Sequence, residues 1–421
     1  MTSESNQSAV VGTATGKVRG VIEGAVTVFR GIPYARAVRF GVPEAVAPWE
    51  DVRDAVESGP AAPQLASRLD QVMGSFAVPQ AEDCLSLNVW APPGDDHPVL
   101  VFLHGGGFSS GTGRLGWYDG AELAALGDVV VVTVNYRLGA LGFLRLPGVS
   151  DGNLGLLDQI AALTWIRDNI AAFGGDPARV TVSGQSAGAI SIVAMLSGDR
   201  ADGLFQRAIL QSAPLGMLPD APDQAEETGA KFLRELGIEA EQLGDVPVEA
   251  MLAAQRAVAM GAEGRVVPPF QLVADGAVVA ADPVGAVSAR TDGMPMLMGT
   301  TRDEAAAFFS HDWDAVAAIT EQLFAAPTRR LSEARNPAGA PAWLFRFDWH
   351  PQDSPLRACH CLELPFLLGN EHAWQDAPML RGERPQQLVD EMRRAWLNFV
   401  IDGDPGWERG GIRYFTDSES R

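Results

Sequence analysis

The chain has 421 residues, a formal net charge of −21, a hydrophobic fraction of 47% and a charged fraction of 20%. This length and composition predict a sizeable core, in one large domain or two smaller ones, and exclude a disordered or fibrous protein. The acidic balance argues against nucleic-acid binding, which needs clustered lysine and arginine. Solubility is the simplest role for the negative charge, and attraction of cationic substrates is the more specific alternative.

The first ten residues, MTSESNQSAV, lack both the basic and the apolar regions of a secretion signal. No apolar run reaches the roughly 18 residues that a membrane helix needs. We therefore expect a soluble, cytoplasmic protein with no membrane partner, whereas the pattern specifies no oligomeric state.

The motif RACHCLELPF, residues 357–366, places a histidine between two of the three cysteines. A structural zinc site needs about four well-spaced Cys or His ligands, and the other histidines show no such pairing. A disulfide between Cys359 and Cys361 would be strained, because the two residues are only two positions apart. We predict no metal, no cofactor and no disulfide.

In chain order, the N-terminal region shows two hairpin-like runs, at residues 10–24 and 25–35. Continuous apolar runs then alternate with helical patterns, which is typical of a sheet buried on both faces in an α/β protein. The predicted strands cover residues 99–103, 129–134, 179–184, 207–212, 294–300 and 342–349.

The clearest helix is predicted over residues 156–173, where apolar residues recur at spacings of three and four until GGDP stops the pattern. Internal repeats and low-complexity linkers are absent from the sequence, so a single domain over residues 1–421 is the simpler prediction. Residues 220–264 are polar and rich in alanine, which favours helices inserted over the sheet as a cap or lid.

A predicted strand, RVTVSG, runs directly into the pentapeptide Gly184-Gln185-Ser186-Ala187-Gly188, which opens a predicted helix. This is the G-x-S-x-G pattern in the strand-turn-helix context that it requires, where a tight, strained turn lifts the serine hydroxyl above the sheet. The pattern predicts that Ser186 is a nucleophile.

A nucleophilic serine needs donors for the oxyanion that its attack creates. The strand at residues 99–103 leads into HGGGF, and its glycines allow backbone N–H groups to approach a substrate oxygen closely. We predict that Gly106, Gly107 and Ala187 donate these hydrogen bonds. A phosphate-binding loop is the alternative, but the segment lacks the Gly-Lys-Ser/Thr ending.

Serine also needs a histidine base that a carboxylate orients, in the chain order serine, acid, histidine. The strand at residues 294–300 runs into Asp303 and Glu304, so a carboxylate lies at the end of this strand. Position alone does not decide which of the two residues is the acid. The candidate bases after Ser186 are His311, His350, His360 and His372. His360 is preferred, because it follows the strand at 342–349 by a short loop.

With these motifs the sequence resembles the type-B carboxylesterases, relatives of acetylcholinesterase and the bacterial para-nitrobenzyl esterases. The segments that carry the resemblance, in the family's order, are FRGIPYA, EDCLSLNVW, HGGGF, GDVVVVTVNYRLGALGFL, NLGLLDQIAALTWIRDNIAAFGGDP, GQSAGA, GTTRDE and HCLELPFLLGN. The resemblance implies that Glu304 is the triad acid and His360 the base, and it suggests Ser212 as a supporting hydroxyl near the acid.

The chain departs from the family pattern in four places. Gln185 stands where the family usually has glutamate, which alters a buried polar network, and Ala305 replaces a glycine, which would shift the turn of the acid. Cys84 matches a cysteine that is disulfide-bonded in secreted members, but it has no N-terminal partner here. The segment between Glu304 and His360 is shorter than is usual in the family, which predicts a reduced helical cap and a wider pocket mouth.

Taken together, the motifs predict an α/β-hydrolase fold, with a central, mostly parallel β-sheet flanked by helices. The predicted function is hydrolysis of small-molecule carboxylic esters through an acyl-enzyme. A carbamate, amide or lactone remains an alternative substrate class, since the same triad serves any activated acyl group. A non-catalytic binding protein on the same scaffold is an alternative from another class.

Overall fold

A computed structural model describes residues 8–261, 268–309, 311–335 and 342–416. The strands are β1 Ser8–Gly12, β2 Lys17–Glu23, β3 Val26–Pro33, β4 Val52–Asp54, β5 Ser86–Ala91, β6 His97–Leu103, β7 Val130–Val134, β8 Arg145–Leu146, β9 Ser150–Asp151, β10 Gly175–Gln185, β11 Arg207–Gln211, β12 Met296–Thr301, β13 Ala342–Phe347 and β14 Ile412–Phe415. The α-helices are α1 Asp70–Met73, α2 Ala121–Gly127, α3 Gly139–Phe143, α4 Leu154–Asn169, α5 Ala187–Leu196, α6 Pro222–Leu236, α7 Val248–Met260, α8 Pro283–Ser288, α9 Ala306–Phe309, α10 Trp313–Ile319, α11 Ala326–Arg335, α12 Glu371–Trp374 and α13 Gln386–Asp402.

Twelve strands form one sheet in the order β1-β2-β3-β5-β7-β6-β10-β11-β12-β13-β14, with β4 paired to β2. All pairs from β7 through β6 to β14 are parallel. The pairs from β1 to β7 along the path are antiparallel. The prediction of a central, mostly parallel sheet is therefore confirmed, and the carboxyl ends of its parallel strands meet along one edge.

The sheet is covered on both faces, as its uninterrupted apolar strands require. Along β6, Val99 and Val101 belong to one buried cluster, whereas Leu100 and Phe102 belong to another. The first cluster includes residues of α4 and α5, and the second includes residues of α2 and α13. Successive side chains of the strand therefore point into two different cores, one on each face of the sheet. The result is a three-layer α/β/α arrangement.

The predicted elements differ from the observed ones mainly at their ends. The helix predicted at residues 156–173 is α4 followed by a 3₁₀ turn, Ile170–Phe173, which stops at Gly174 with φ 80°. The strands β4, β5, β8, β9 and β14 were not predicted. The segment predicted as a cap contains α6 and α7, and its last residues, 262–264, lie outside the described residues.

Helices in the described ranges are short, and the longest, α13, has 17 residues. None of them combines the length and apolar character needed to cross a bilayer.

Candidate active site

The predicted nucleophile occupies the turn between β10 and α5. Ser186 has φ 57° and ψ −116°, a sparsely populated conformation that the surrounding backbone enforces. The Ser186 N–H donates to the Gln211 carbonyl at 2.9 Å, which extends the pairing of β10 with β11. A Cβ on Gly188 would collide with the carbonyl oxygens of Leu103 and His104, so only glycine fits there. The turn leaves Ser186 half-buried at the sheet edge.

The glycine loop lies beside this turn, because Leu103 at the end of β6 pairs with Gly184 of β10. Gly106 has φ 117°, and its carbonyl accepts hydrogen bonds from the N–H groups of Ser109 and Ser110, both at 3.1 Å. The N–H groups of Gly106, Gly107 and Ala187 make no hydrogen bond within the described ranges. These three predicted donors are therefore available to a ligand.

His104 holds the start of this loop and is not a base. Its ring is buried and stacks on Tyr136 with centroids 4.3 Å apart, and burial lowers its pKa to about 4. The Tyr136 hydroxyl donates to the His104 carbonyl at 2.6 Å. A neutral, stacked imidazole thus serves as a support for the loop.

The structure brings Glu304 and His360 together at the ends of neighbouring strands. Glu304 Oε2 lies 2.5 Å from His360 Nδ1, and Glu304 Oε1 accepts from the Thr301 N–H at 2.8 Å. Asp303, the other carboxylate that position left open, instead accepts from the Ala358 N–H at 3.2 Å and pairs with Arg302. Asp303 therefore fixes the histidine loop, and of these two carboxylates it is Glu304 that contacts the imidazole.

Ala305 does not separate the acid from the base, although it was expected to shift the turn. Its N–H donates to Thr320 Oγ1 at 3.1 Å, and its methyl group is fully buried. The core beside α9 has room for this side chain, so the contact between Glu304 and His360 is kept.

Gln185 defines the tautomer of the histidine. Its amide nitrogen lies 3.1 Å from His360 Nε2 and donates to Cys361 Sγ at 3.2 Å. An amide NH₂ only donates, so His360 Nε2 must carry the lone pair and Nδ1 the proton. That proton faces Glu304, which is the tautomer a general base needs.

A second buried carboxyl lies beneath the histidine. Glu363 accepts from Gln211 Nε2 at 3.3 Å, and burial, reinforced by the nearby Glu304 charge, raises the pKa of Glu363 to about 7. Ser212, suggested as a supporting hydroxyl, is buried with φ 50°. Its N–H donates to the Gly299 carbonyl at 2.8 Å, but its hydroxyl makes no hydrogen bond within the described ranges.

The remaining histidines and the thiols lie outside this constellation. His311 and His372 are exposed, and His350 bonds to the Pro351 carbonyl beside it. The cysteines are buried free thiols: Cys84, Cys359 and Cys361. In the described ranges, no group of His, Cys, Asp and Glu side chains is arranged to hold a metal ion.

Ser186 and His360 line one pocket of about 50 Å³, together with Gly106, Gly107 and residues that the sequence did not single out. Among these, Phe308 packs on His360 with ring centroids 5.9 Å apart. Arg68 places its guanidinium carbon 5.9 Å from the Phe308 ring centroid. The two adjacent aromatic residues shortly after Glu304 could have indicated that Phe308 lines the pocket. No sequence pattern indicates the same for Arg68.

The titration of Glu363 generates a prediction about stability. Between about 4.5, its ordinary pKa, and about 7, the folded chain keeps a proton that the unfolded chain has lost. The wild type should therefore lose about 3 kcal/mol of unfolding free energy as the pH rises through this window. Glu363→Gln, which stays neutral, should lack that loss when urea unfolding is compared at about pH 5 and about pH 8.

The exposed Glu371→Gln is the matched control, and it should keep the wild-type pH dependence. Equal pH dependence in the wild type and in Glu363→Gln would show that Glu363 titrates normally.

Comparison with known proteins places this geometry in a family. The model of the carboxylesterase family matches residues 7–318 and 310–416. A relative from Rhodococcus erythropolis, named "Probable N-octanoylanthranilate hydrolase", is 44% identical, over 93% of this chain and 93% of its own. The para-nitrobenzyl esterase of Bacillus subtilis is 38% identical, over 95% and 91% of the two chains.

Solved structures agree with the sequence comparison. A para-nitrobenzyl esterase structure superposes with a TM-score of 0.87 at 38% identity, covering 95% of this chain and 92% of the other. The predicted fold class and the resemblance are thus confirmed. The chain belongs to the carboxylesterase family, as an esterase of the α/β-hydrolase fold.

Proposed function

We propose that this esterase acts through an acyl-enzyme, with Ser186 as nucleophile, His360 as general base and acid, and Glu304 as the orienting carboxylate. The observation that carries the proposal is the 2.5 Å contact of Glu304 with His360 Nδ1, in a histidine that shares a pocket with Ser186. A buried carboxylate at that distance fixes the ring and stabilises the imidazolium that forms during attack.

In the first step the Ser186 oxygen bonds to the substrate carbonyl carbon, and its proton moves to His360 Nε2. Since that nitrogen has a single lone pair, it must first release the Gln185 amide that lies 3.1 Å away. Collapse of the tetrahedral intermediate breaks the bond to the leaving group, which takes the proton from Nε2. Water then repeats the sequence on the acyl group and regenerates Ser186.

The oxyanion of each tetrahedral intermediate accepts hydrogen bonds from the N–H groups of Gly106, Gly107 and Ala187. Their lack of partners within the described ranges supports this role, because donors already engaged would have to be freed at the moment of reaction. One such donor is worth about 3 kcal/mol of transition-state stabilisation.

Ser186→Ala tests the proposed nucleophile. We expect this variant to lose hydrolysis of para-nitrophenyl butanoate and labelling by a serine-directed phosphonate, while its thermal midpoint stays near that of the wild type. Ser288→Ala, whose hydroxyl donates to the Val284 carbonyl within α8, should keep both. Turnover retained in Ser186→Ala would rule out the acyl-enzyme, and an unreactive wild type would favour a non-catalytic scaffold.

Gln185→Glu tests the proposed proton acceptor. A carboxylate beside His360 Nε2 would favour the imidazolium over the neutral ring. The acidic limb of the kcat/KM profile should therefore move to higher pH. Gln185→Met, which adds no charge, should leave the limb in place, and an unmoved limb in both variants would argue against His360 as the base.

Hydrolysis of an N-acyl anthranilate is a second candidate function, favoured by the 44% identity to the Rhodococcus relative. The same residues serve an amide, because His360 protonates the departing nitrogen as it would an alkoxide. We expect release of anthranilate from N-octanoylanthranilate, followed by fluorescence, with Ser186→Ala as the blank. Turnover comparable with that of phenyl octanoate would support the amide, and undetectable turnover would exclude it.

A further inference from the structure

A second cavity, of about 260 Å³, lies beside the turn that carries Glu304. Its walls come from β12, β13, α10 and α11, together with the π-helical turn Thr320–Ala325 that joins the two helices. Among the described residues, none that lines this cavity also lines the pocket of Ser186 and His360. A ligand in this cavity would therefore lie apart from the reaction centre.

Positive charges outnumber negative charges on the wall of this cavity. The described lining residues include four arginines and two acids: Arg302, Arg329, Arg346, Arg357, Asp303 and Glu321. The chain as a whole has a net charge of −21, so the local balance is the reverse of the overall one. A concave site with an excess of one charge raises the local concentration of ions of the opposite sign, which here are anions.

The excess positive charge is carried by Arg357. The other three arginines have carboxylate partners: Arg302 with Asp303, Arg329 with Glu321, and Arg346 with Asp348. The Arg357 side chain is exposed and forms no hydrogen bond or ion pair with any residue that the structure describes. Its guanidinium carbon lies 3.6 Å from the centroid of the Trp313 ring. Stacking covers one face of the guanidinium and leaves the N–H groups at its edge able to donate.

Two buried hydroxyl groups provide a second, independent indication of a ligand. Thr301 and Thr328 line the same cavity and are 0% and 4% exposed. Neither hydroxyl makes a hydrogen bond within the described ranges. Thr320 differs, because its Oγ1 accepts from the Ala305 N–H at 3.1 Å. Buried polar groups normally have partners, so the hydroxyls of Thr301 and Thr328 are donors that a ligand can engage.

We propose that this cavity binds a compact oxyanion, either a phosphate group or a small dicarboxylate. Arg357 supplies the charge that is not already paired with a carboxylate, and Thr301 and Thr328 supply neutral donors. The planar fork of an arginine matches both phosphate and carboxylate oxygens. Typical ligand pockets have volumes of about 300 to 1,000 Å³, so this smaller cavity suits a small ligand.

The cavity is connected to both loops of the pair formed by Glu304 and His360. Arg302 precedes Glu304 by two positions, and Arg357 precedes His360 by three. The Thr301 N–H donates to Glu304 Oε1 at 2.8 Å. An anion in the cavity would therefore contact residues of both loops and add a link between them. Since such an anion binds the folded chain and not the unfolded one, it should raise the thermal midpoint.

The experiment compares the thermal midpoint of the full chain in phosphate, in succinate and in sodium chloride of equal ionic strength. We expect a saturable rise of about 1 to 2 °C at a tenfold excess over Kd, and no such rise with chloride. A rise with phosphate alone, or with succinate alone, would support the site and identify the anion that it prefers. Arg357→Met should abolish the rise, and Arg357→Lys should restore part of it.

Arg36→Met is the matched control, since Arg36 pairs with Glu44 at the surface and its side chain is 66% exposed. This variant should keep the full rise. The readout is the difference between midpoints with and without the anion, so a lower starting stability of Arg357→Met does not obscure it. An equal rise in the wild type and in Arg357→Met, or no rise with either anion, would overturn the inference.

Enzyme kinetics separate this cavity from the substrate pocket. Because the two share no described lining residue, a saturating anion should leave KM for para-nitrophenyl butanoate unchanged. A competitive increase in KM that persists in Arg357→Met would locate the anion in the substrate pocket and overturn the inference, while hydrolysis itself still supported the proposed function. Conversely, an inactive wild type whose midpoint rose through Arg357 would reject the proposed function and support this site.

Discussion

The hydrogen bond between Glu304 and His360 joins two loops that are 56 residues apart in the chain, and the rest of the site depends on it. Parallel pairing of β12 with β13, in which Thr301 faces Phe347, brings both strand ends to the same level. The backbone bond from the Asp303 N–H to the Ala358 carbonyl, at 2.9 Å, then holds the two loops together. With side chains 0% and 2% exposed, the pair is desolvated, so separating it would leave a buried charge unpaired.

Burial of this pair also limits how many charges its surroundings can hold. Glu363 already experiences the Glu304 charge, which adds to the burial that raises its pKa. A glutamate in place of Gln185 would add a third carboxyl to the same desolvated region. The amide instead donates to both His360 and Cys361 without a charge. With glutamine in place of the family's usual glutamate, the site lacks a carboxylate that would stabilise the imidazolium. In return, no additional charge has to be buried there.

The turn at Ser186 was predictable because its pattern is local: glycines two residues on either side of Ser186, a strand before it and a helix after it. His360 followed from strand order, and the choice of Glu304 over Asp303 needed the family resemblance. Arg68 was not predictable, because it reaches the pocket through long-range contacts of its flanks with Gly111 and Met379. The strand β14 was missed because its four residues are largely half-exposed and lack a continuous apolar run.

The acidity of the whole chain and the cation in its pocket act over different distances. A net charge of −21 repels anions far from the surface, but salt screens interactions beyond about 8 Å at physiological ionic strength. Inside the pocket, Arg68 lines the wall together with Ser186 and His360, so the local surroundings of a substrate differ from the overall charge balance. The overall charge therefore acts on the approach of a substrate from a distance, whereas the groups that line the pocket act on a substrate once it is bound.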